Sequence, residues 1–402
     1  MKFNKLSQLF LVLAAGLILA SLFTACQLVN IDFVYVAASA GSAGSNGQIY
    51  SYETDGSSGA LRTGHPTISS GGTIPVAMAD TSDGFNLYVA NAGNDSVVHF
   101  DINIHGVLTQ KESITLPNTP VAIAVSESND YLFAVSGTTS ATLTEYPLSK
   151  GVIGAASASV PLTLAGYPSD TIVPTGVIVL TNNNAVYVTA YDQSAYNPGG
   201  TTTSNANPGW VFGFTIGSGG ALAPVPAGPY QAGVKPVALA SDPVSRFVYV
   251  TDFASNELIG YTVQSDESLN FMVNGPFKTG DEPSAVTIDP RGIYIYVANS
   301  LDSSVSAYTI SLPTGTPSAT ASTSGAGASA TDSYPVAIVV EPALARYVYT
   351  ANKLGNDVSG FRLTPNTGVI NTTLASPYPT GDGPTALVAI AHGNHATQSV
   401  AP

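Results

Sequence analysis

Short runs of alternating or fully apolar residues, each four to six long and bounded by Gly, Pro, Asn, Asp or Ser, recur along the whole chain, which is the pattern of β-strands separated by turns. The clearest run is an aromatic-centred one, and it occurs seven times. Its copies are Phe33–Val36, Leu87–Ala90, Leu132–Val135, Val186–Thr189, Val248–Thr251, Tyr294–Val297 and Val348–Ala351. Their central aromatic residues are Tyr35, Tyr88, Phe133, Tyr187, Tyr249, Tyr296 and Tyr349, spaced by 53, 45, 54, 62, 47 and 53 residues. A period of that length accommodates four strands and their loops.

Each copy has the same neighbours. Upstream lies a Pro that opens a small-apolar run, as in Pro75–Ala79, Pro120–Ala124, Pro236–Ala240, Pro283–Val286 and Pro335–Ile338. Pro at the first residue of a strand loses no ladder donor, and small side chains suit the strand crowded nearest an axis. Downstream come an Asn/Asp turn and an alternating strand, as in Asn94–Phe100, Asn256–Tyr261 and Asn356–Phe361, then a Gly-x-Leu/Ile element such as Gly106–Leu108 or Gly368–Ile370. Four strands per copy and seven copies predict an all-β, seven-bladed β-propeller with four antiparallel strands per blade. Phe33 has no Pro-led run before it, whereas an orphan one follows the last copy at Pro384–Ile390. That C-terminal strand is expected to complete blade one and close the ring.

Two segments interrupt the repeat. Tyr191–Pro208 reads as an insertion between the second and third strands of blade four, and Thr314–Asp332 as a flexible loop before the inner strand of blade seven. The expected organisation is therefore residues 1–25 as a signal peptide, 26–31 as a lipidated tether, 32–390 as the propeller and 391–402 as a flexible tail. The leader reading comes from Lys2 and Lys5, the apolar Leu9–Leu22, and Cys26, the single cysteine among the 402 residues. This arrangement is similar to bacterial lipoprotein signals, with Cys26 as the lipidation site. Gln27 then points to the outer membrane rather than to inner-membrane retention.

Charge narrows the possible partners. With 12 Lys+Arg against 26 Asp+Glu the net charge is −14 and no basic cluster offsets it, so nucleic acid is excluded as a partner and the membrane is reached through the lipid anchor alone. A monomer is expected. A lone Cys excludes intramolecular disulfides, and the five histidines, at 65, 99, 105, 392 and 395, form no ligand pair on a loop that could face a pocket.

Loops entering inner strands and loops between second and third strands share one face around the channel. That face should carry Lys235, Asp252, Asp281, Glu282, Asp382 and Tyr191. These are the candidate ligand-binding residues, and Asp281, Glu282 and Asp382 are the candidate water-activating carboxylates. Turn construction is the preferred explanation of any single Asn or Asp on this face, and of Asp281, Glu282 and Asp382 as well. No resident cofactor or metal is expected, although a divalent cation would suit such carboxylates.

The tract Pro243–Asp252 followed by Asn256–Tyr261 resembles the repeat of the seven-bladed lactonase family, which includes 6-phosphogluconolactonase-like bacterial enzymes and fungal muconate-lactonising cycloisomerases. It also overlaps the surface-layer propellers built on Tyr-Val-Thr-Asn repeats. The resemblance spans Asp32–Ile390 and implies a lactone hydrolase. Family enzymes often carry histidines beside the inner-strand Pro, where this chain has Val76, Val121, Thr175, Val237, Ser284, Val336 and Thr385. The primary expectation is consequently a non-catalytic, exported binding or interaction module for a protein, glycan or small ligand. The alternative is a carboxylic-ester (lactone) hydrolase.

Overall fold

The computed structural model describes residues 30–39, 44–138, 140–166, 169–196, 207–320 and 328–391. The expected leader (1–25), Cys26, His392, His395 and most of the 191–208 insertion lie outside them. The described residues form seven antiparallel sheets arranged as a ring, the seven-bladed propeller anticipated above.

Pro-led runs form the inner strands: Pro75–Asp80, Pro120–Val125, Pro236–Ser241, Pro283–Ile288 and Pro335–Val340. In blade four the inner strand is Ile172–Val179, with Pro174 inside it at a register shift. Blade one is Pro384–Ala391, Asn30–Ala38, Gln48–Asp55 and Leu61–Ser69 from the axis outward. Pairings from Asp32↔Ala391 to Ala38↔Pro384 knit the two ends of the chain together, and each inner strand packs against the next around the ring. Blade one thereby gains its inner strand, and the ring closes through packing between neighbouring inner strands.

The fourth strand is the least regular of the blade. In blades three to seven it is split into two short segments that both pair with the third strand, as in Leu269–Phe271 and Phe277–Lys278. The run 314–332 is corrected on the same ground. It is not merely a loop, because Pro317–Ala319 and Ser329–Ala330 supply the outer strand of blade six.

The core lies between blades. Seven apolar clusters each join two neighbouring blades, and the aromatic-centred second strands are buried along their length. The repeated Tyr and the repeated Gly meet there. Tyr35 Oη donates to the Gly106 carbonyl of the next blade (2.8 Å), Tyr88 to Gly151 (2.6 Å), Tyr249 to Gly315 (2.5 Å), Tyr296 to Gly368 (3.1 Å) and Tyr349 to Gly59 (2.8 Å). Those five glycine turns all sit at positive φ, between 71° and 83°, where a side chain would be strained. At Gly106 a Cβ would also strike the Phe33 ring at 2.3 Å. Tyr187 makes the equivalent bond to Glu267 (2.5 Å). Phe133 has no hydroxyl, and its cross-strand partner Glu145 is buried against Gly220 instead.

Candidate functional site

One repeat position builds the rim of the channel. It is the residue immediately before the inner-strand Pro, and it is Lys235 in blade five, Glu282 in blade six and Tyr334 in blade seven. The chain reaches Pro at that point from a loop, and at Glu282 and Tyr334 it does so through the left-handed region, with φ of 54° and 61°. Such a conformation costs a non-glycine residue about 1–2 kcal/mol. It is held at Glu282 by two bonds: the Glu282 N–H donates to Asn256 Oδ1 (2.9 Å), and its carbonyl accepts from the Ser300 N–H (2.9 Å).

Lys235 is caged by aromatic rings. Its Nζ lies 4.8 Å from the Phe253 centroid, 5.6 Å from Tyr196 and 5.8 Å from Tyr191, and Tyr191 and Tyr196 meet edge to face at 5.3 Å. Within the described residues no carboxylate is in ion-pair contact with it. The ring faces therefore hold the ammonium in place without neutralising it. Glu282 is the anionic counterpart. Its charge acts on Tyr334, whose phenol lies within hydrogen-bonding reach, and on Tyr196, and both phenols are raised above the usual tyrosine range, first by burial. A cation, a carboxylate and phenols from four consecutive blades thus converge at one mouth.

The remaining candidates are placed elsewhere. Asp252 is fully buried and occupied by backbone donors: Val234 N (2.7 Å), Lys235 N (2.8 Å) and Ala254 N (3.2 Å). It fixes the loop that presents Lys235. Asp281 is exposed and accepts from Asn256 Nδ2 (2.8 Å), while its own N–H donates to Asp302 Oδ2 (2.7 Å). Asp382 is exposed on the blade-one loop, where its charge helps to raise Tyr50 after burial has done so. A separate carboxyl pair, Asp332 and Asp357, lies on the same face, with Asp357 pushed up to about 6 by burial and by its neighbour.

Sequence reading picked out Lys235, Glu282 and Tyr191 but missed Tyr196, Phe253 and Tyr334. For Tyr334 the signal was present, since it precedes Pro335 as Glu282 precedes Pro283. The hydroxyls of Thr175, Ser284 and Thr385 donate to the Pro236, Pro335 and Pro75 carbonyls of the next inner strand, so they hold the ring together.

The family described as "Lactonase, 7-bladed beta-propeller" matches residues 222–393. Among solved structures, the periplasmic gluconolactonase of Pseudomonas aeruginosa superposes with a TM-score of 0.74 at 15% identity, covering 90% of this chain and 100% of that one. A protein of Bacteroides fragilis described as a candidate 6-phosphogluconolactonase gives 0.70 at 16%, covering 91% and 99%. A similar protein of Bacteroides uniformis gives 0.70 at 16%, covering 90% and 100%. No curated protein matches the chain significantly. At these identities the structural likeness speaks for the fold, and the family match supports the resemblance to lactonase propellers read from the repeats. It also overturns the primary expectation of a non-catalytic binding or interaction module: the match is to lactonases, the reading given above as the alternative.

Proposed function

We propose that this lactonase-like propeller hydrolyses an uncharged sugar-type lactone at the mouth formed by Lys235, Glu282 and Tyr334. The supporting observation is that one repeat position supplies a cation, a base and a phenol in three consecutive blades, around an ammonium that aromatic rings leave unneutralised. Glu282 takes a proton from water as the water oxygen attacks the lactone carbonyl carbon. Lys235 faces the oxyanion that develops, where a preorganised donor is worth about 10²–10³ in rate. Collapse of the tetrahedral intermediate breaks the ring C–O bond, and the departing ring oxygen receives the proton held by Glu282, giving a hydroxy acid. Tyr334 orients the Glu282 carboxylate, and the rings of Tyr191, Tyr196 and Phe253 offer apolar faces to the sugar ring.

A phosphorylated lactone would need several positive groups. Lys235 is the one cation held in the aromatic cage; the other lysine near the mouth, Lys353, is exposed on the loop that bonds to the Tyr334 carbonyl, and the chain carries a net charge of −14. We infer further that the chain is exported and anchored through lipidated Cys26 to the outer membrane. The leader pattern supports this, and the Pseudomonas neighbour is described as periplasmic.

Initial-rate hydrolysis of a neutral aldono-δ-lactone and its 6-phosphate, each corrected for spontaneous opening, tests the reading. Turnover of the neutral lactone above background, with kcat/KM at least tenfold higher than for the phosphorylated one, is expected. Preference for the phosphorylated lactone refutes the substrate assignment, and no turnover of either refutes the activity.

A further inference from the structure

Both described chain ends, Asn30 and Ala391, emerge on the face opposite the Lys235–Glu282 mouth, because second strands run toward the mouth and inner strands away from it. Beside them, between blades one and two, lies an apolar cleft of about 90 Å³. It is lined by Phe33, Phe85, Ile102, Ile104 and Ala391, with Asp83 at its edge. Phe85 is 50% exposed and Ile104 68%, and Val107 in the same loop is also exposed. On the mouth face the exposed apolar residues Ile74, Leu301 and Leu354 each stand on a different blade. Contiguous exposed apolar surface marks a contact site, whereas single exposed residues need no explanation.

The chain outside the structure indicates what covers this cleft. Cys26 precedes Asn30 by four residues, which span about 14 Å when fully extended. A lipid on Cys26 therefore brings the Asn30 end of this face to within about 14 Å of the bilayer. An apolar face tethered that close to a bilayer can bury about 5–10 Å into the headgroup–acyl boundary. A net charge of −14 disfavours an anionic surface, so the matching surface is zwitterionic.

We propose that Phe85, Ile104 and Val107 dock the propeller onto a zwitterionic lipid bilayer, leaving the Lys235–Glu282 mouth pointing away from the membrane. The inference rests on the lipid-anchor reading above and is independent of the lactonase activity. In the lipidated protein the Cys26 thiol is consumed, so Ile104→Cys introduces the one free thiol, and Leu354→Cys does the same on the mouth face. Each full-length variant is purified in its processed form, labelled with a small fluorophore, and reconstituted with phosphatidylcholine–phosphatidylethanolamine vesicles carrying nitroxide-labelled lipid.

Quenching at position 104 at least twofold stronger than at position 354 is expected. Equal quenching at the two positions, or none at 104 in vesicle-bound protein, overturns the docking. So does a dimer in which position 104 is shielded from lipid by a second copy. Mass analysis of the N-terminus separates the two ideas: a free Cys26 thiol on protein that does not float with vesicles refutes the anchor, and the docking falls with it.

Discussion

Replacing Asp32 with Asn should stabilise the protein at neutral pH and flatten its pH dependence. Asp32 and Glu341 are both fully buried where blade seven meets blade one. The Asp32 Oδ1 accepts from the Ala343 N–H (3.3 Å), and its Oδ2 has no N–H donor. Glu341 accepts from the Leu344 N–H (2.8 Å) and the Arg346 N–H (2.6 Å). In blades five and six the acid of the equivalent turn is paired with an arginine, Asp242 with Arg246 (2.9 Å) and Asp289 with Arg291 (2.7 Å). In blade seven the turn acid meets a second acid instead.

Burial, then the neighbouring Glu341 charge, holds the Asp32 carboxyl well above the ordinary aspartate range, and burial raises Glu341 as well. A raised acid binds its proton more tightly in the folded state than in the unfolded one. Its destabilisation is absent below the unfolded value of about 4 and accumulates as pH rises from there toward the raised folded value, by about 1.4 kcal/mol per pH unit for one extra bound proton. Asn keeps an acceptor for Ala343 and supplies a neutral donor toward Glu341. Denaturant unfolding of wild type and Asp32→Asn from pH 4 to pH 8 should give curves that meet near pH 4. They should then separate, with the variant more stable by at least about 1.4 kcal/mol at pH 7.5. A variant less stable at pH 7.5, or parallel curves, would refute the account of a destabilising buried acid pair.

Tyr349→Phe removes the bond to Gly59 and leaves a buried carbonyl unpaired, so unfolding free energy should fall by about 1–3 kcal/mol with the m-value unchanged. Gly106→Ala places a Cβ into the Phe33 ring at positive φ and should lower the thermal midpoint more than Gly44→Ala, which meets no atom within 4 Å although its φ is also positive. Lys235→Met keeps an apolar chain in the aromatic cage but deletes the charge; kcat for the neutral lactone should drop about 10²–10³-fold with KM changed far less.

Seven copies of an aromatic strand, the inner-strand prolines and the orphan Pro384 segment made the ring and its closure legible, because each reports a local requirement of strand or turn. Outer strands were harder to see. Pieces of two or three residues such as Phe277–Lys278 are too short to carry a period, and in blade six they sit within a Ser/Thr/Ala/Gly run. The Tyr-to-Gly bonds were invisible for another reason: each joins residues of adjacent blades, often more than 60 positions apart, such as Tyr88 and Gly151. At the mouth, charge and place in the repeat drew attention to Lys235 and Glu282. Phe253, which ends up over the Lys235 ammonium, looked like an ordinary turn residue, and Asp252, a plausible ligand on paper, spends its oxygens on the loop beside it.

The central claim is that Glu282 activates water for lactone opening, and the kcat of Glu282→Gln against a neutral aldono-δ-lactone tests it most directly. Gln keeps the size and the backbone bonds of Glu282 to Asn256 and Ser300, so folding should be unaltered by circular dichroism and thermal midpoint. A fall in kcat of about 10²–10⁴-fold is expected on loss of a general base. A folded Glu282→Gln protein that retains wild-type turnover would contradict the assignment of this mouth as the active site.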